Sequence, residues 1–172
     1  MATVFIFLGI IFLLSILLNA GSGEKSVGDQ QIETEEEKIY GFGDKVIVGD
    51  FAYTFYSMEI KSEIGEYVFD SFYGEEADGI FFVFDVTIEN VGKESKTMWG
   101  SYVNVIDDQG RTFEHDISAE IHLDDSFSFE QMQPSLPKRG KIVFDVPENI
   151  KGMLEISSSS FWSDEKKYVS WT

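Results

Sequence analysis

Residues Ile80-Phe81-Phe82-Val83-Phe84-Asp85-Val86-Thr87-Ile88-Glu89-Asn90 decide the fold. Successive side chains of an extended strand point to opposite faces, so Phe82, Phe84, Val86 and Ile88 share one side. Asp85, Thr87 and Glu89 take the other toward its far end. One face is then buried and the other becomes wet, the pattern of an antiparallel sheet. A helix would repeat its apolar residues three and four apart, and this run does not.

The same alternation extends outward in both directions. Residues 45–48 and 51–60 predict two earlier strands, and residues 101–106 with 111–115 predict a hairpin. Asp107-Asp108-Gln109-Gly110 supplies its turn, with Gly110 suited to a positive φ. In residues 141–146, Ile142, Phe144 and Val146 point inward and Asp145 outward. Pro147 ends that strand because it has no backbone N–H to donate. Residues 153–158 and 167–171 bring the total to about seven or eight strands, the count of a two-sheet sandwich. The longest irregular stretch is 116–140, where Pro134 and Pro137 bracket a loop; it is read as a binding loop or a crossover between sheets.

Ahead of this region the composition changes twice. Residues 2–20 carry no charge, and Val4 to Leu18 reads VFIFLGIIFLLSILL. As a helix these residues would span roughly 28 Å, close to the roughly 30 Å hydrocarbon core of a bilayer. Residues 1–20 are therefore expected to be a membrane anchor or a signal peptide. The anchor is preferred, because the n-region Met-Ala-Thr has no base and Leu18-Asn19-Ala20 has only one small residue at a cleavage position. Residues 21–43 mix glycine, serine and acids, the composition of a flexible acidic linker. Residues 44–172 make up the folded domain.

With 43% apolar residues and 16 Phe, the domain can bury a core unaided. The absence of cysteine excludes disulfides, thiolate metal sites, a cysteine nucleophile and a lipid-modified cysteine. A net charge of −18 excludes nucleic acid as a partner, since phosphate would be repelled before any specific contact formed.

Several of these segments together resemble the DUF4352 family, a secreted and lipoprotein-associated domain related to the MPT63-like domains of mycobacterial secreted antigens. They are Gly43-Asp44-Lys45-Val46 through Val48-Gly49-Asp50-Phe51, Phe82 to Asn90, Val105-Ile106-Asp107-Asp108-Gln109-Gly110, Leu136-Pro137, and Gly140 to Pro147. The resemblance runs from about Gly43 to the C-terminus and rests on order and spacing. It implies an all-β, immunoglobulin-like two-sheet β-sandwich, here preceded by an N-terminal hydrophobic helix, and an extracytoplasmic location. It implies no reaction. Two departures stand out: the family's Pro-Gly is replaced by Leu136-Pro137-Lys138-Arg139-Gly140, and the lipoprotein cysteine is missing, which leaves attachment to the hydrophobic segment.

Catalysis needs convergent groups, and the sequence offers only His115 and His122, with no serine in a nucleophile motif. With Asp116 or the aspartates beyond it, the two histidines match no metal-ligand spacing and are read as strand-end or loop residues facing solvent. Asp107, Asp108, Asp124 and Asp125 lie in predicted turns and are candidate calcium ligands, with ordinary turn chemistry as the alternative. Candidate contact residues are Trp99, Phe161 and Trp162, near strand ends, and the basic pair Lys138 and Arg139. Trp171 is assigned to the core. The expected function is a non-catalytic binding module without a required cofactor, tethered through residues 2–20 or secreted, whose partner is another envelope or extracellular protein. The alternative is a structural subunit of a surface appendage or envelope assembly, with a metal-dependent enzyme held in reserve.

Overall fold

The computed structural model describes residues 38–98, 102–127, 130–158 and 164–172. The hydrophobic segment, linker residues 21–37, Trp99, Phe161 and Trp162 lie outside the described residues.

The domain is all-β. A sheet with the order β2 (Val46–Val48), β3 (Phe51–Val68), β4 (Ser71–Asn90) and β9 (Lys138–Val146) holds the strand that decided the fold. The other large sheet has the order β1 (Ile39–Tyr40), β11 (Lys166–Val169), β10 (Gly152–Ser157), β6 (Val103–Asp107) and β7 (Thr112–Phe113). A two-stranded ladder joins β5 (Lys96–Met98) to β8 (Glu130–Met132). All pairs between these strands are antiparallel except β1 with β11.

The two large sheets enclose one core. Phe51, Tyr53 and Phe55 from β3 and Phe82, Phe84, Val86 and Ile88 from β4 meet Val103 and Val105 from β6, Leu154 and Ile156 from β10, and Val169 from β11. Trp171 packs against this core as expected, 5.6 Å from the Phe82 ring and 5.9 Å from that of Phe84. Pro147 follows β9 directly, and Gly110 has φ +77° in the β6–β7 turn. Asn90 pins the end of β4: its Nδ2 donates to the carbonyls of Glu94 (2.7 Å) and Met132 (3.0 Å).

Three expectations require correction. Residues 39–40, read as linker, form β1 and pair in parallel with Tyr168 and Val169, so the ordered chain starts before residue 44. Residues 61–79 were assigned no structure, yet β3 and β4 run on together to a two-residue turn, extending the hairpin well past Ile80. The stretch 116–140 is not one irregular loop, since it holds α1 (Ile117–Glu120), β8 and the start of β9. Asp145 stands on the outer face, as its alternation predicts, and its carboxylate accepts from the backbone N–H of Asp78 (2.7 Å) and Gly79 (3.1 Å).

The α1 segment serves the sheet. A strand edge left bare exposes a row of unpaired backbone groups. Here the chain from Asp116 to Ser126 covers the outer edge of β9: Asp116 N–H donates to the Val143 carbonyl (2.8 Å) and Lys141 N–H to the Asp125 carbonyl (2.8 Å). Val143 N–H donates to Glu120 Oε1 (2.9 Å). Asp116 caps α1 by accepting from Ala119 N–H. Ala119 packs with Ile64, Phe81, Val83 and Val143 into a second apolar cluster on the outer face. Phe81 and Val83, the odd members of the deciding stretch, are thereby buried as well.

Candidate functional site

The most conspicuous exposed feature is the far end of the β3–β4 hairpin. Pairing between β4 and β9 stops at Ile80 with Val146, while β3 and β4 stay paired down to Val68 with Ser71. Register shifts mark an extra residue in β3 between Phe55 and Ser57 and extra residues in β4 between Glu76 and Phe81; such irregularities bend a strand and increase its twist. Residues 62–79 thus form an arm, rooted by the Asp145 carboxylate and by Ile64 in the outer cluster.

Beyond Ile64, no second layer among the described residues packs on the arm. Gly65 faces Gly74 across the ladder, and a Cβ on either would overlap the backbone of the opposite strand. The strands approach there more closely than any other residue pair permits. The Phe72 ring covers Gly74 and packs against Tyr67, its cross-strand partner, with ring centroids 5.1 Å apart. Tyr67 is 65%, Tyr73 58% and Phe69 99% exposed. Phe69 and Asp70 form the turn with φ of +47° and +62°, the left-handed region that bulky residues avoid. Left-handed backbone costs an L-residue about 1–2 kcal/mol. Phe69 incurs that cost while burying nothing within the chain.

The arm is also strongly charged. Between Ser62 and Gly79 stand six acids, Glu63, Glu66, Asp70, Glu75, Glu76 and Asp78, and no Lys or Arg. The Tyr67 hydroxyl lies 3.4 Å from Glu63 Oε2, and the charge of Glu63, some desolvation and the charge of Glu76 hold that phenol above its ordinary pKa.

The residues singled out from sequence lie elsewhere and do not converge. Asp107 closes its own turn: Oδ1 accepts from the N–H of Gln109 (3.0 Å) and Arg111 (2.8 Å), and Oδ2 pairs with Arg111 Nε at 2.6 Å. Burial alone would raise this carboxyl, but the Arg111 and Gln109 bonds together lower it. Asp125 lies across from Lys141 (3.4 Å) at the β9 edge. Among the described residues no group of three or more His, Asp or Glu side chains is placed to hold a metal ion. Asp107 and Asp108 border a half-open depression of about 300 Å³ with Arg111, Glu148 and Lys151, whose charges oppose one another.

His115 was expected to face solvent and is buried instead: Nδ1 lies 3.0 Å from Glu120 Oε1, and the ring stands edge-on to Phe144 at 4.9 Å. Its Nε2 is buried without a protein partner. His122 is exposed. The basic run is not a free loop patch, since it opens β9. Arg139 grips Asp85 through Nε (2.9 Å) and an Nη (2.6 Å) and lies over the Tyr56 ring at 4.6 Å. That guanidinium, by hydrogen bond first, holds the Asp85 carboxyl below its usual pKa. Sequence reasoning missed the arm; the signal open to it was the concentration of Tyr67, Phe69, Phe72 and Tyr73 among acids.

Comparison with solved structures gives a shared fold at low identity. YjhA from Bacillus subtilis matches over 77% of this chain and 99% of its own, with 14% identity and a TM-score of 0.57. The secreted protein MPT63 from Mycobacterium tuberculosis matches over 80% and 98%, with 16% identity and a TM-score of 0.54. An uncharacterized β-sandwich protein from Clostridium difficile 630 matches over 81% and 99%, with 14% identity and a TM-score of 0.50. Comparison with curated proteins gives no match. The family described as domain of unknown function DUF4352 matches residues 40–167, which include both large sheets almost entirely and the whole arm, and the chain belongs to that family.

Proposed function

We propose that this chain is a non-catalytic, extracytoplasmic binding module, tethered through residues 2–20 or secreted, that engages another envelope or extracellular protein through its β3–β4 arm. The observation that carries this reading is Phe69: a fully exposed aromatic ring, held in a left-handed turn at the end of an arm on which no other described layer packs. Interfaces draw on a few large aromatic anchors of this kind. An immunoglobulin-like sandwich supplies the rigid base from which such an element is displayed. Export is supported by the uncharged N-terminal segment and by the likeness to a secreted protein.

The non-catalytic part rests on where the titratable groups are committed. His115 is buried against Glu120 and Phe144, and Asp85 and Asp107 are held by arginines. None of the three is on the arm. The test is a photo-crosslinking phenylalanine analogue placed at position 69 of the full-length chain in its native host, with position 109 as the control. Discrete adducts from position 69 alone are expected. Adducts from position 109 with none from 69 would transfer the contact to the β6–β7 turn and sink the proposal.

A further inference from the structure

We infer that the tip of the arm recognises a Lys- and Arg-rich polypeptide segment; the inference rests on the arm being the contact element. Arginine recognition combines an aromatic face with a carboxylate, because the guanidinium stacks on the ring while its N–H fork binds the anion. This chain already uses that arrangement internally. Arg139 lies 4.6 Å over Tyr56 with its fork on Asp85, and Arg111 lies 5.8 Å from the Phe113 ring while binding Asp107.

The arm presents the same two groups without a cation of its own. Glu66 directly opposes Tyr73 across the ladder, so both side chains stand on one face. On the other face, Glu63 lies beside Tyr67 and directly opposes Glu76. Among the described residues, no Lys or Arg pairs with Glu66, Asp70, Glu75 or Glu76. Both faces of the tip therefore offer rings flanked by unneutralised carboxylates, and Phe69 projects between them.

Charge selects among possible occupants. A second copy of a chain with net charge −18 is repelled, and its basic run is already engaged by Asp85 and Asp125. An anionic lipid surface is repelled for the same reason. A neutral glycan could stack on the rings but would leave the charge unanswered. A basic segment meets both features, with the carboxylates steering encounter and the rings holding the complex.

The experiment uses the full-length chain in a non-ionic detergent and a fluorescein-labelled peptide of alternating arginine and alanine, read by anisotropy at two salt concentrations. Wild type is expected to bind, and a glutamate-alanine peptide is not. Phe69→Ser with Tyr73→Ser leaves the charge constant and is expected to weaken binding roughly tenfold at an unchanged melting temperature. Glu66→Gln with Glu75→Gln is expected to weaken it comparably and to flatten its salt dependence. Equal binding by the serine variant would reduce the effect to net charge and overturn the inference. So would failure of the arginine peptide to bind, or preferential capture of a neutral oligosaccharide. If position 69 still cross-links to a native partner while the arginine peptide does not bind, the arm remains the contact element and only the partner's chemistry is wrong. If both experiments fail, the arm itself is misassigned.

Discussion

Strands β3 and β4 are aromatic at both ends, and the two ends meet opposite fates. At the sandwich end, Phe51, Tyr53 and Phe55 of β3 and Phe82 and Phe84 of β4 are buried against the second sheet. At the tip, Tyr67, Phe69 and Tyr73 are exposed, and only Phe72 finds partial cover, from Tyr67. Residue type does not separate the ends. What separates them is whether a second layer stands across from the ring, so the same side chain supplies stability at one end and contact surface at the other.

That contrast is most directly broken by truncating one ring at each end. Phe84 meets the rings of Phe42, Phe55, Phe82, Phe144 and Trp171 and is fully buried. Phe84→Ala should cost about 3–5 kcal/mol of stability, read by chemical denaturation of the full-length chain. Tyr73→Ala at the tip should cost no more than about 0.5 kcal/mol. Comparable losses at the two ends would mean that the tip is packed after all.

A smaller effect is expected where the arm's base meets the β9 edge. Glu120→Ala removes the acceptor of the buried Val143 N–H and the carboxylate that stands 3.0 Å from the buried His115 Nδ1. Leaving such groups unpaired should cost about 2–3 kcal/mol, and Glu120→Gln, which keeps one amide oxygen, should recover part of it. Hydrogen exchange locates the damage: the Val143 amide should lose protection while the amides of β10 keep theirs. Uniform loss across both sheets would show that α1 supports the whole sandwich rather than one edge.

Acid should act on the sandwich through two held carboxylates. Asp85 and Asp107 have carboxyls lowered in the folded state, the first chiefly by the Arg139 hydrogen bond, the second by Arg111 and Gln109 against the opposing effect of burial. A group lowered on folding contributes stability above its unfolded pKa, about 3.9 for Asp, and loses it as pH falls through the folded value. The melting temperature of Asp85→Asn with Asp107→Asn should therefore decline less steeply than wild type below about pH 4. An unchanged slope would mean that these pairs carry no linkage.

The sequence was legible wherever burial imposes alternation. Phe82, Phe84, Val86 and Ile88 announce their face because the core accepts only one side of the strand, while Pro147 ends β9 and Gly110 turns β6 into β7 by backbone chemistry. The arm was illegible for the converse reason. Between Ile64 and the turn no other described element covers either face, so no period is enforced, and Phe69-Asp70 lacks the Asn-Gly signature of a tight hairpin. The α1 segment escaped notice because Ala119, Phe127 and Met132 reach the interior from pieces too short to show a repeat. Nothing in the spacing of His115 and Glu120 distinguishes a buried pair from two solvated residues. Their meeting depends on how the chain folds back over β9.

The turn itself gives the smallest effect, and its sign is the most informative. Two residues of positive φ between paired Val68 and Ser71 favour Asn followed by Gly, whereas this chain has Phe69 and Asp70. Phe69→Asn with Asp70→Gly should raise stability by about 1 kcal/mol, because backbone strain is relieved and no buried contact is lost. The same variant should lose the position's ability to capture the arginine peptide. A gain in stability with a loss of binding would mean that the turn retains strain for the sake of the exposed ring. A loss of stability would mean that Phe69 is packed within the chain and that the two ends of the hairpin are not so different.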